Sequence, residues 1–225
     1  MRSLSALALP LLVMATVPAA EAQSGAVPGT WRNLIDARAT GWRGYQKKEL
    51  PAGWKIEDGA LTRVAAGGDI VYNDEFGDFE LEFEWKVQRK GNSGVFYRAG
   101  EATARIYENS AEYQVLDNIE HPDNKTDLTV AGANYALYPA QRDAVKPVGE
   151  WNSARIVARG AHIEHWLNGK KMIECELWSP DWEARVKASK FVEWPTYARA
   201  KSGKFGLQDH GDWVAFRNMR VRALR

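Results

Sequence analysis

The chain has 225 residues, enough for one domain with a sizeable core. Its 30 basic and 29 acidic residues leave a formal net charge of +1, which removes any electrostatic case for nucleic acid or an anionic membrane as a partner. A single cysteine, Cys175, excludes an intrachain disulfide and a cysteine cluster for zinc. It sits in an alternating stretch, MIECEL, which suggests a buried, inert thiol. The 10 tryptophans suit either a sandwich core or rings exposed for sugar stacking.

Residues 1–22 read as a signal peptide. Arg2 supplies the positive start, and the apolar run Leu4–Val17, ~14 residues, is too short to span a bilayer comfortably. Ala20-Glu21-Ala22 is a small-x-small cleavage site, so export to a periplasm or the exterior is expected. No later apolar stretch approaches ~18 residues, so no membrane anchor is expected in the mature chain. Residues 23–30 form a short polar linker, and the domain is expected over 31–225.

Short strands follow in order. Trp31–Ile35 is the first, and Gly41–Gly44 marks a turn. Trp54–Glu57 and Ala60–Arg63 flank Asp58-Gly59, a type I′ hairpin signal. Asp69–Tyr72 is a further strand. Phe79–Gln88 alternates apolar and charged residues, the pattern of a half-exposed antiparallel strand. Gly91–Gly94 reads as a tight turn before the strand Val95–Arg98. Glu112–Leu116 alternates again, 118–128 is a polar loop, and Asn134–Tyr138 is a short strand. Ser153–Arg159, His162–Leu167 and Lys170–Leu177 form a meander with turns at Gly160 and Asn168-Gly169. Pro180–Phe191 is the one helix, with Ser179 as its cap and Pro180 in its first position. Gly203–Val221 reads as a final hairpin turning at Gly211-Asp212. About a dozen strands and one helix describe an all-β, two-sheet sandwich.

There is no GxSxG, no phosphate loop and no HExxH. Strand parity instead gathers polar groups on non-core faces. Glu112 and Gln114 share one side of their strand, as do Gln208 and His210 of theirs, and Arg98 shares parity with Gly94. Carboxylate, imidazole and amide oxygen suit a divalent ion, and a carboxylate with an imidazole also suits proton transfer. Asp117 and Asp209, of opposite parity, read as structural acids, and Asn92 and Asn218 as turn residues. Lys190 is a weaker candidate base and reads first as a solvated cation at the helix end.

The ordered set Asn92-Ser93-Gly94…Arg98, Glu112-x-Gln114-x-Leu116-Asp117 and Leu207-Gln208-Asp209-His210-Gly211…Phe216-Arg217-Asn218 resembles the 3-keto-disaccharide hydrolase domain, formerly a domain of unknown function. The likeness runs from about Trp31 to Leu224 and includes WKIEDGALTR and GEWNSARIVARGAHIEHWLNG. The resemblance implies a concanavalin-like jelly roll of two antiparallel sheets, with the helix before the last strand pair. It also implies cleavage of 3-keto-glycosides by a metal-dependent, exported enzyme. On this reading Glu112, His210 and Arg98 are the catalytic candidates. Glu112 and His210 also serve as candidate ligands of a divalent cation. Gln114, Gln208 and Trp194 would hold the sugar. The alternative is a non-catalytic carbohydrate-binding sandwich, since this architecture hosts both.

Overall fold

A computed structural model describes residues 29–224. The leader and most of the linker lie outside the described residues.

Two antiparallel sheets face each other, as expected of an all-β jelly roll. The larger has eight strands. They are β1 (Arg32–Asn33), β3 (Trp54–Glu57), β4 (Ala60–Arg63), β6 (Phe79–Val87), β9 (Asn152–Arg159), β10 (His162–Leu167), β11 (Lys170–Glu176) and β13 (Val214–Ala223). Their order is β11-β10-β9-β6-β13-β4-β3, with β1 also paired to β13. The smaller sheet has five strands, in the order β2 (Trp42–Gly44), β5 (Ile70–Phe76), β12 (Gly203–Leu207), β7 (Asn92–Ala99) and β8 (Ala111–Leu116). One α-helix, α1 (Pro180–Ala188), precedes β12.

β6 shows why the sheets stack. Phe79, Leu81, Phe83, Trp85 and Val87 are all buried. They meet the inner face of the smaller sheet through contacts such as Phe79–Phe205 at 4.8 Å and Phe83–Tyr113 at 5.4 Å between ring centroids. The opposite side chains pair with β13, Glu82 with Arg220 and Glu84 with Arg217, each at 2.6 Å. Arg217 and Arg220 have opposite parity. A bulge at Asn218, in a left-handed conformation (φ 51°), inserts the residue that turns both outward.

The helix is shorter than expected. Ser179 caps it, accepting the Trp182 amide at 3.2 Å, and Lys190–Glu193 then forms a separate 3-10 turn. Gly41–Gly44 is largely strand, and Asn134 makes only isolated bridges to Tyr113 and Tyr138. Gly91–Gly94 is no tight turn, because Asn92 already pairs with Leu116.

The expected final hairpin does not form. β12 belongs to the smaller sheet and β13 to the larger, so 208–213 crosses between layers. Alternation alone cannot tell a hairpin from such a crossing, since both need a turn.

His165 is buried between the sheets, with its ring nitrogens 3.2 Å from the Gly132 carbonyl and 3.2 Å from the Tyr97 hydroxyl. Burial depresses its pKa from 6.5 to about 3. The folded protein therefore holds it neutral. This contribution to stability is complete above pH 6.5 and is lost as pH falls towards 3. His165→Gln, followed by urea denaturation across that range, is expected to flatten the acid slope by on the order of several kcal/mol.

Candidate active site

The outer face of the smaller sheet is covered unevenly. One part is filled by a small apolar cluster of Tyr45, Val71, Phe96, Ala99 and Ile106. Beside it, where Gly94 replaces a side chain, the face stays open. There Asn92, Tyr107, Glu112, Gln114, Tyr135, Lys190, Gln208 and His210 line a cavity of about 180 Å³. That is well below the ~300–1,000 Å³ of drug-sized sites and suits one sugar ring.

The floor comes from paired strands. Gly94 lies opposite Gln114, and Phe96 opposite Glu112. A Cβ on Gly94 would come within 2.7 Å of the Glu112 Cδ, so only glycine lets that carboxylate lie across the strand. Gln114 Nε2 donates to Asn92 Oδ1 at 3.1 Å. The side-chain amide oxygens (Oε1) of Gln114 and Gln208 are buried with no donor among the described residues.

Gln208 leaves β12 with its amide donating to the Gly94 carbonyl at 3.0 Å, while Ser93 Oγ donates to its carbonyl at 2.8 Å. Asp209 then anchors the crossing. Its carboxylate takes Arg63 Nε at 2.7 Å and the amides of Gly67 and Gly68 at 2.8 and 2.9 Å. Its own amide donates to Asp69 Oδ1 at 2.9 Å. Asp117 similarly accepts the Lys90 and Ile119 amides. Both acids do structural work.

The roof comes from α1 and the turn after it. Tyr138, Trp182, Tyr197 and Phe191 stack in series, and Trp194 meets Tyr107 edge-on at 5.5 Å. Trp194 thus supports a lining residue and does not itself line the cavity. Lys190 is exposed, as expected of a cation at the helix end, and it also borders the cavity.

Arg98 is absent from this site. A bulge where β7 pairs with β12 puts it at φ 53°, and this breaks the parity inferred from Gly94 and Phe96. Its buried guanidinium donates to the Gly77 carbonyl at 3.0 Å and the Gly160 carbonyl at 2.7 Å. Arg98 therefore ties the smaller sheet to the β5–β6 connection and to the β9–β10 turn of the larger sheet.

Two unforeseen groups join His210. The donor atoms of His121, His210 and Asp212 lie within 4.8 Å of one another, and the two imidazoles are 5.8 Å apart. Glu112 is not part of that cluster. Asp212 Oδ2 also accepts the Asn92 amide at 3.2 Å, which joins the cluster to the cavity wall. A second cluster, His162, Glu164 and Glu174, lies on the outer face of β10 and β11, where Lys171 already bridges its carboxylates at 2.6 and 2.7 Å. A more open groove of about 630 Å³ crosses the outer face of the larger sheet, but Glu82 and Glu84 there are already paired with arginines.

Burial pushes the Glu112 pKa up from 4.5 to about 8, against the pull of the Lys190 ammonium and with a further push from Asp69. Among the described residues no donor bonds its carboxylate. Burial also raises Asp69 to about 6, and the charge of His210 opposes that rise. A buried, unpartnered carboxylate in a cleft is the usual mark of a functional acid or base.

The fold is a two-sheet β-sandwich with a polar cavity on its smaller sheet, and comparison with known proteins assigns it to the carbohydrate-active class. Residues 30–222 match the 3-keto-alpha-glucoside-1,2-lyase-like domain model, and the chain belongs to that family. It is 38% identical to a 3-keto-disaccharide hydrolase of Bacteroides thetaiotaomicron over 216 residues, covering 82% of this chain and 74% of that one. A Parabacteroides distasonis structure described as a candidate glycosyl hydrolase superposes with a TM-score of 0.80 at 31% identity, covering 87% of this chain and 94% of that one. The Bacillus subtilis carbohydrate-binding module CBM66 shares the fold alone, with a TM-score of 0.53 at 15% identity over 82% of this chain and 96% of that one. The protein is thus a hydrolase or lyase of the glycoside-cleaving class.

Two outcomes are expected. Because its folded pKa is raised, ionised Glu112 costs stability as pH rises from 4.5 through about 8. Glu112→Gln should therefore be more stable than the parent at pH 8.5, by on the order of a few kcal/mol, with the gap closing towards pH 4.5 in urea titrations. Gly94→Ala should displace the carboxylate and return its NMR-detected titration towards the ordinary glutamate range.

Proposed function

We propose that the protein cleaves 3-keto-glycosides by elimination across C1 and C2, followed by hydration. The observation that carries this reading is Glu112, a buried carboxylate with no donor among the described residues, on the floor of a cavity sized for one sugar ring. A ketone at C3 acidifies the C2 proton, so a single well-placed base suffices, and the paired carboxylates of ordinary glycosidases are not needed. Glu112 takes that proton. The resulting enediolate re-forms the C3 ketone and expels the C1 substituent, leaving a C1–C2 double bond. Water then adds at C1, and Glu112 returns the proton to C2. The buried side-chain amide oxygens of Gln114 and Gln208 accept sugar hydroxyls, and Tyr107 and Tyr135 border the ring.

A divalent cation fits this chain at His121, His210 and Asp212, a nitrogen-and-carboxylate set beside the two unsatisfied amide oxygens. Such an ion would supply charge stabilisation for the developing enediolate. His121 Nδ1 accepts the Asp123 amide at 3.0 Å, so ligation through Nε2 would require that bond to give way. Glu112 is left free for proton transfer. Export follows from the leader reading, and N-terminal sequencing of mature protein beginning at Gln23 would support it.

The test uses 4-nitrophenyl 3-keto-α-glucoside and its unoxidised parent. Turnover of the keto substrate alone is expected, falling by about 10³-fold or more in Glu112→Gln. It should also fall with chelator and return with a divalent ion. Binding without turnover would establish the carbohydrate-binding alternative.

A further inference from the structure

Lys190 is exposed, yet its ammonium is surrounded by aromatic rings at the edge of the cavity. Its Nζ lies 4.7 Å from the Tyr135 ring centroid, 5.5 Å from Tyr107 and 5.4 Å from Phe191. Three aromatic rings therefore hold the cation by its charge. Among the described residues no carboxylate or carbonyl takes its N–H groups, so all three remain free for a ligand in the cavity they border. Glu112 rises from the sheet floor, and Lys190 comes from the turn that roofs the same cavity. The ammonium's field is also felt at Glu112, where it opposes the effect of burial.

We propose that Lys190 is the general acid of the reaction and hands a proton to the glycosidic oxygen as the C1–O bond breaks. This rests on the elimination reading above. The two walls then carry complementary tasks. Glu112 accepts the C2 proton, and the electron pair of that bond becomes the C1–C2 double bond. The C1–O pair departs on the glycosidic oxygen, which takes a proton from Lys190. A neutral carboxylic acid and a neutral amine remain. Hydration runs the same transfers backwards: the amine takes a proton from the water that adds at C1, and the acid protonates C2. The pair is reset without any further proton carrier. Among the described residues no side chain or carbonyl competes for its N–H groups, so the amine, though exposed, is open to a ligand in the cavity it borders.

A purely electrostatic lysine and a proton-donating one differ in how they respond to the leaving group. 4-Nitrophenolate departs without protonation, whereas methoxide does not. Lys190→Met and Lys190→Arg should therefore lose about 10²–10⁴-fold in kcat on methyl 3-keto-α-glucoside but only about tenfold on the 4-nitrophenyl substrate. Arginine is the sharper probe, because it keeps the charge and does not give up its proton. Thermal midpoints close to the parent's, together with the retained nitrophenyl turnover, establish that both variants fold. Equal losses on the two substrates, or full methyl-glycoside turnover by Lys190→Arg, would overturn the acid role and leave the elimination reading intact. A parent protein inert on both substrates would overturn the elimination reading and the acid role together.

Discussion

The site depends on a carboxylate kept dry. Glu112 lies against a strand whose facing residue has no side chain, and the described residues offer its oxygens no donor. Burial without compensation is costly, and the fold carries that cost elsewhere. The interdigitated aromatics between the sheets, the Arg–Glu ladder on β6 and β13, and the stacked rings under α1 supply the rigidity that holds an unfavourable group in place. The cavity persists because Gly94 leaves a gap that the neighbouring apolar cluster around Phe96 does not extend to fill.

Much of this was legible from alternation. The hairpin of β3 and β4, the strand β6 and the meander of β9, β10 and β11 appear within a residue or so of where the pattern puts them, because each is local and closed by strong turn chemistry. Glu112, Gln114, Gln208 and His210 do share one cavity, although Gln208 and His210 lie just past the end of their strand. Parity fails wherever a bulge inserts a residue. Arg98 is lost from the site for that reason, and the Asn218 bulge shows the same effect on the far sheet.

Other parts were hidden because they come from segments without periodicity. His121 lies in a polar loop, Asp212 in what looked like a simple turn, and Asn92 at a strand start mistaken for a bend. Tyr107 and Tyr135 reach the cavity from a 3-10 turn and a covering loop. No pattern of apolar residues places such groups; only the packing of one layer on another does. Lys190 is a case in point, since its aromatic neighbours come from three separate stretches of chain.

The passage of 208–213 from one sheet to the other has an evolutionary consequence. This short bridge carries two lining side chains, and Asp209 clamps it to the Gly67 and Gly68 amides on the way. Its length is therefore fixed by the thickness of the sandwich. Inserting or deleting even one residue in the bridge would shear both lining groups out of alignment. New specificities are thus reached by exchanging side chains around the cavity more readily than by changing the length of this bridge.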